Sequence, residues 1–95
     1  MILDLEEAKT ILRVDFDEDD EIIQSMINSI PEYLEEKTGA RWDKFPINPL
    51  VKTLAGYLIH SMYDENFKDY EKPIDNLLMV LTSKAKRENE RNTKE

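Results

Sequence analysis

Three stretches of this chain repeat apolar residues every three or four positions, and this spacing constrains the fold more than any other feature. They lie in residues 22–34, 50–62 and 74–85. In an α-helix, residues at this spacing form one apolar stripe, which has to be buried against another element. The pattern therefore predicts an all-α protein, a small orthogonal or bundle-like domain of about four helices.

A shorter helix is predicted to precede these three, over residues 5–12. Asp4 can cap it, and Glu7 can reach back to the Asp4 backbone as in a capping box. An Asp-rich link follows, in which Asp17 or Asp19 is expected to cap the second helix.

The second helix is predicted to carry the main apolar stripe of the core. This stripe consists of Ile22, Ile23, Met26, Ile27, Ile30, Tyr33 and Leu34. Because Pro31 has no N–H to donate to the carbonyl of Ile27, we expect a kink or a new turn there. Gly39 is a suitable C-terminal stop.

Residues 40–49 contain two prolines and two large aromatic residues, which indicate an ordered loop. Trp42 and Phe45 are expected to pack back onto the helices. Pro49 suits the first turn of a third helix, which is predicted to be the central one. Its inner face is predicted to consist of Leu50, Val51, Leu54, Ala55, Leu58 and Met62.

Segment 64–72 is polar and charged, and it is expected to form a loop before Pro73 begins the fourth helix. The buried stripe of that helix is predicted to consist of Ile74, Leu77, Leu78, Leu81 and Ala85. Met79 and Val80 fall outside this stripe. They are candidates for a subunit contact, unless segment 64–72 or the C-terminal tail folds over them.

The last twelve residues contain charged and polar side chains and nothing large and apolar. Such a segment is typical of a frayed helix or a disordered end. We therefore divide the chain into a helical domain, residues 1–83, and a charged, flexible tail, residues 84–95.

Composition excludes several functions. The net charge of −8 argues against attraction to phosphate backbones, so direct, sequence-specific nucleic-acid binding is not expected. The absence of cysteine excludes disulfides and thiolate zinc sites. No apolar run approaches the roughly 20 residues that cross a bilayer, and no secretory pattern is present, which predicts a soluble, cytosolic protein without a membrane partner.

The acidic link has the spacing that opens a calcium loop, with Asp15, Asp17 and Asp19 at alternate positions. However, the sixth position is Asp20 where the motif needs glycine, and the twelfth is Met26 where it needs glutamate. Helix capping and favourable charge at a helix N-terminus explain the cluster better. We therefore predict no metal site.

Catalysis is not predicted either. His60 is the only histidine, and no nucleophile or second metal ligand stands at a useful spacing from it. The acidic residues lie mostly at helix starts, where they are solvated. We predict a protein that is not an enzyme and has no cofactor.

Four blocks of the chain, in this order and spacing, resemble the head-tail connector (adaptor) proteins of long-tailed bacteriophages. The blocks are KTILRVDFDEDD, IIQSMINSIPEYLEEKTGARW, LVKTLAGYLIHSMYDEN and PIDNLLMVL, within about residues 5–82. The chain departs from the family pattern at Phe67, where a basic residue is common, and at Pro31.

The resemblance implies a structural virion component without an enzymatic role. It implies a ring of about a dozen copies that extends the DNA channel between the portal and the tail, a role in head completion and DNA packaging. The implied partners are further copies, the portal protein and a stopper or tail-completion protein. The protein would occupy the head-tail junction of a phage or prophage virion, and the bacterial host cytoplasm before assembly.

Under this resemblance, the candidate interaction residues fall into an acidic group, an apolar pair and a basic group. They are Asp15, Asp17, Asp19, Asp20, Met79, Val80, Lys84, Lys86 and Arg87. An alternative interpretation remains open, in which the chain is a small cytosolic helical interaction module or regulator that acts as a dimer.

Overall fold

The computed structural model describes the backbone of residues 1–93 and the side chains of residues 1–88. This part of the chain contains four helices and no strand, so the predicted all-α class is confirmed. The helices are α1 (Leu5–Leu12), α2 (Asp20–Thr38), α3 (Pro49–Tyr63) and α4 (Phe67–Thr93). None of the helices in the described range is long and apolar enough to cross a membrane.

Helix α1 has the predicted bounds and the predicted capping box. The Asp4 side chain accepts a hydrogen bond from the Glu7 backbone at 2.8 Å, and Glu7 accepts one from the Asp4 backbone at 3.1 Å. Glu7 also pairs with Lys52 of α3, with Oε2 and Nζ 2.5 Å apart. The N-terminus of α1 is therefore tied both to its own cap and to the central helix.

Helix α2 runs through Pro31 without a break, so the new turn considered for this position is wrong. Proline deprives the carbonyl of Ile27 of its partner, but Ile30 and Leu34 on either side are fully buried. Ile22 was wrongly assigned to the buried stripe, since it lies in the first turn of α2 and is 55% exposed. Burial of the rest of the stripe outweighs the lost hydrogen bond. Gly39 ends the helix as predicted, with a φ of 90° and its N–H bonded to the carbonyl of Glu35.

The loop between α2 and α3 confirms one aromatic prediction and contradicts the other. Trp42 packs against the core, and its Nε1 donates to Thr38 Oγ1 at 2.9 Å. Phe45 does not pack back, since its exposed fraction is 89%. Trp42 and Ile47 take the inward positions of this short loop, and Phe45 is left at its tip.

Helix α3 begins at Pro49 and packs against the other three helices, as predicted for the central element. Val51, Leu54, Ala55 and Leu58 lie on its buried face, together with Ile59 and Ser61. Leu50 and Met62 were wrongly assigned to this face: they lie in the first and last turns, where neighbouring helices cover less, and are 41% and 36% exposed.

Helix α4 begins at Phe67, so segment 64–72 is mostly helical and Pro73 does not begin the helix. Because Pro73 has no N–H, it deprives the carbonyl of Asp69, one turn earlier, of its helical hydrogen bond. The predicted stripe is confirmed: Ile74, Leu81 and Ala85 are buried, and Leu77 and Leu78 pack partly against the core.

The backbone of α4 stays helical across the predicted boundary at residue 83 and through Thr93. The tail was expected to be either a frayed helix or a disordered end, and residues 84–93 are helical. Its flexibility and the division into two parts stay predictions, and residues 94–95 lie outside the described residues.

Candidate functional site

The acidic link between α1 and α2 is held by Lys9, a residue that the sequence pattern did not single out. Its ammonium group lies 2.8 Å from Asp17 Oδ1 and 2.8 Å from Asp20 Oδ1. Lys9 is only 8% exposed, although its ion-pair partner Asp17 is largely solvated. The atom Asp20 Oδ1 is buried and has no well-angled hydrogen bond among the described groups, so this close ion pair is its compensation.

These contacts shift the titration of the paired groups. The hydrogen bond to Asp17, followed by the close contact with Asp20, raises the pKa of Lys9 well above its usual range. In return, the hydrogen bond from Lys9 lowers the pKa of Asp17 below its ordinary value of 3.8. Both groups are therefore held in their charged forms at neutral pH.

Asp19 occupies the N-cap position of α2, but its side chain does not cap the helix, which corrects that expectation. Instead, the Tyr63 hydroxyl at the end of α3 donates to Asp19 Oδ2 at 2.5 Å. This hydrogen bond is the main cause of the raised pKa of Tyr63. Asp19 therefore links the acidic turn to the central helix.

Of the four predicted acidic site residues, only Asp15 is exposed without a partner among the described side chains. Asp17, Asp19 and Asp20 are engaged within the chain, so the cluster is first of all a brace between three helices. Across residues 1–88, no group of three or more potential ligands is arranged to hold a metal ion. Asp15 and the partly exposed Phe16 lie at the solvated outer edge of the acidic turn, and an interaction role for this edge stays a prediction.

A signal for Lys9 was present in the sequence. Lys9 lies four residues after Leu5 and three before Leu12, so it shares their helix face. A lysine on a core-facing stripe followed by an acidic link indicates a buried ion pair. Composition alone did not distinguish it from the other basic residues.

Met79 and Val80 face outwards from α4, with exposed fractions of 68% and 49%. Segment 64–72 does not cover them, and residues 84–93 continue the same helix, so neither covering alternative describes this structure. Two apolar side chains side by side on an exposed helix face are typical of a contact surface. Their interaction role stays a prediction.

The predicted basic residues do not form one patch of equal exposure. Lys84 is half-buried beside the α2–α3 loop, near Trp42 and Asp43. Lys86 and Arg87 are exposed. Only the last two are fully available to a partner on this part of α4.

A second apolar surface was not predicted. A half-open groove of about 340 Å³, which we call the α2–α3 groove, lies between these two helices and the first turn of α4. Ile30 and Leu58 form its floor, and Tyr33, Met62 and Phe67 form its walls. Phe67 is half exposed, and it is one of the two residues at which the chain departs from the resembled pattern. That departure from the pattern was the signal in the sequence that could have indicated the groove.

His60 is more constrained than a solvated histidine. Its ring stacks on Tyr70 with centroids 5.5 Å apart, and Nδ1 lies 3.1 Å from Asp64 Oδ2. These contacts join the end of α3 to the start of α4. They give His60 a structural role beside the turn between the two helices.

A family model described as phage gp6-like head-tail connector protein matches residues 2–93, a range that contains all four helices. No curated protein and no solved structure matches the chain.

Proposed function

Since the chain belongs to the phage gp6-like head-tail connector family, as the resemblance predicted, we propose that it joins the portal of a phage capsid to the tail as a closed ring. Family membership makes it a structural protein of the phage head-tail connection. The finer points are the proposal: a ring of about a dozen copies that extends the DNA channel, docks on the portal and receives a stopper or tail-completion protein. The family match over residues 2–93 carries this proposal.

The exposed apolar side chains support an assembling subunit. Large apolar residues are exposed at the tip of the α2–α3 loop, in the α2–α3 groove and on the outer face of α4. The loop tip lies near the start of α3 and the groove near its end, and separate contact surfaces suit a subunit with several neighbours. We propose Met79 and Val80 as one such contact.

The charge of the chain supports a conduit for DNA. A ring wall with the acidic character of this chain, whose net charge is −8, would repel the phosphate backbone, so passing DNA would not be trapped. We propose that the exposed Lys86 and Arg87 meet the portal or a neighbouring copy after assembly begins. The host cytoplasm is the proposed location before that step.

Native mass spectrometry across a concentration series, with negative-stain imaging of the most concentrated sample, tests the ring. We expect monomers at low concentration and closed rings at high concentration or on added portal protein. A concentration-independent dimer that ignores the portal would contradict the proposal and favour the regulatory module. A monomer that neither assembles nor binds the portal would also contradict it.

A further inference from the structure

The α2–α3 groove has an apolar interior and an acidic rim. Glu32 and Glu36 line it beside Tyr33 and Met62, and neither glutamate forms an ion pair with another described residue. The groove volume of about 340 Å³ lies at the lower end of the range for small ligands, about 300–1,000 Å³, and is sufficient for one aromatic side chain. A fitting occupant is therefore a large apolar side chain with a neighbouring positive charge.

The tip of the α2–α3 loop has this chemistry. Phe45 is 89% exposed, the largest exposed fraction among the large apolar residues of the described chain. The residue before it is Lys44, which is also exposed. Because copies with a net charge of −8 repel one another, a local pairing of opposite charges is needed to orient them.

The loop tip does not lie at the groove of its own chain. Phe45 lies beside Met1 and Lys52, near the start of α3, whereas Met62 lies in the last turn of that helix. At a rise of about 1.5 Å per residue, Pro49 and Met62 are about 20 Å apart along the helix axis. Phe45 and the α2–α3 groove are thus different patches near opposite ends of α3. This is the arrangement of a heterologous, head-to-tail contact.

We propose that Phe45 of one copy inserts into the α2–α3 groove of the next copy, with Lys44 facing the Glu32 and Glu36 rim. This inference rests on the proposed ring, and it names the contact that builds it. One buried phenylalanine contributes about 150–250 Å². Stable interfaces bury about 800 Å² per partner, so the contact is weak for a single pair and depends on ring closure or on the portal.

Disulfide trapping between copies tests this contact directly, because the chain contains no cysteine. The full chain is prepared as two variants, Phe45→Cys and Met62→Cys, which are mixed under ring-forming conditions and oxidised. We expect a mixed disulfide dimer at least about tenfold more abundant than from the matched pair Phe45→Cys with Thr53→Cys, because Thr53 is exposed and lies outside the proposed contacts. Equal yields from the two pairs, in samples that contain rings, would overturn the proposal.

The variant Phe45→Ser supplies a second measurement. Because Phe45 is exposed, the thermal unfolding midpoint should not change, whereas half-maximal ring formation should need about tenfold more protein. Unchanged assembly would overturn the proposal, and so would reduced portal binding with unchanged rings.

The two proposals fail in different ways. If wild-type rings form and bind the portal but residues 45 and 62 do not cross-link above the control, the contact is wrong and the connector function stands. If the wild-type chain neither forms rings nor binds the portal, the proposed function fails, and the contact fails with it.

Discussion

At the scale of single residues, Lys9 determines how the acidic link behaves. The pKa of Asp17 is lowered in the folded chain, so its pairing stabilises the fold above pH 3.8, and this contribution is lost as the pH falls through the lowered value. The pKa of Lys9 is raised, so its contribution is complete below its ordinary value of 10.5 and is lost only as the pH rises through the raised value. The pairing is therefore fully present at neutral pH.

The variant Lys9→Met tests this brace. Methionine keeps an apolar stem but leaves the buried Asp20 Oδ1 without its compensating charge, so we expect easier unfolding by urea at pH 7. The loss of stability between pH 7 and about pH 2 should also be smaller than in the wild type, because Asp17 regains its ordinary pKa. The exposed Lys68→Met is the control, and a variant with the wild-type pH dependence would contradict the assignment.

Replacing each of the two glycines by alanine should change the free energy of unfolding in opposite directions. Gly39 has a φ of 90°, so Gly39→Ala forces a left-handed conformation and should lower the free energy of unfolding by about 1 kcal/mol. Gly56 lies inside α3, and a Cβ there meets only Ile11 at an ordinary 3.8 Å. Gly56→Ala should therefore raise the free energy of unfolding by about 0.5–1 kcal/mol. Urea titrations measure the free energy of unfolding of both variants. Changes of the same sign in the two variants would contradict this account.

At the scale of helices, the burial of apolar residues outweighs the tendency of proline to end or bend a helix. Pro31 was expected to cause a kink or a new turn, and Pro73 was expected to begin a helix, yet α2 and α4 pass through them. A proline costs one helical hydrogen bond, whereas the apolar residues beside each proline gain a continuous buried face. Ile30 and Ile74, the immediate neighbours of the two prolines, are both fully buried.

The central position of α3 predicts a large effect for its core side chains. Leu54 is fully buried, so Leu54→Ala should lower the free energy of unfolding by about 2–5 kcal/mol. The adjacent Thr53 is exposed, and Thr53→Ala should change it by less than about 0.5 kcal/mol. Chemical denaturation monitored by helical circular dichroism measures both. Similar effects for the two variants would show that α3 is not the central strut.

At the scale of the whole molecule, the end of α4 belongs partly to the core. Ala85 is 4% exposed, so a chain ending at residue 83 loses a buried contact and should be less stable by about 1 kcal/mol. A chain ending at residue 88 keeps every described core side chain and should unfold like the full chain. Thermal unfolding of the two truncations gives the comparison, and equal midpoints would contradict a core role for Ala85.

The same two truncations separate folding from assembly. If residues 89–95 act only in docking, the chain ending at residue 88 should keep the unfolding midpoint of the full chain. It should bind portal protein or other copies less well. Sedimentation analysis with and without portal protein measures this. Unchanged assembly would show that these residues are not needed for docking.

The sequence by itself determined the helical class, the start and end of α1, the end of α2 at Gly39, the start of α3 at Pro49 and the buried stripe of α4. Each of these depends on local rules, namely helical spacing, capping and the conformations open to glycine and proline. The order of four sequence blocks also indicated the family that the family match identifies.

Only the tertiary structure decided that Lys9 pairs with Asp17 and Asp20, that Phe45 is exposed, and that Met62 and Phe67 line a groove. The physical reason is that burial and ion pairing depend on which helices meet and where each one ends. Residues 45 and 62 look like core residues in a local pattern, because the pattern records their apolarity and not the neighbours that cover them.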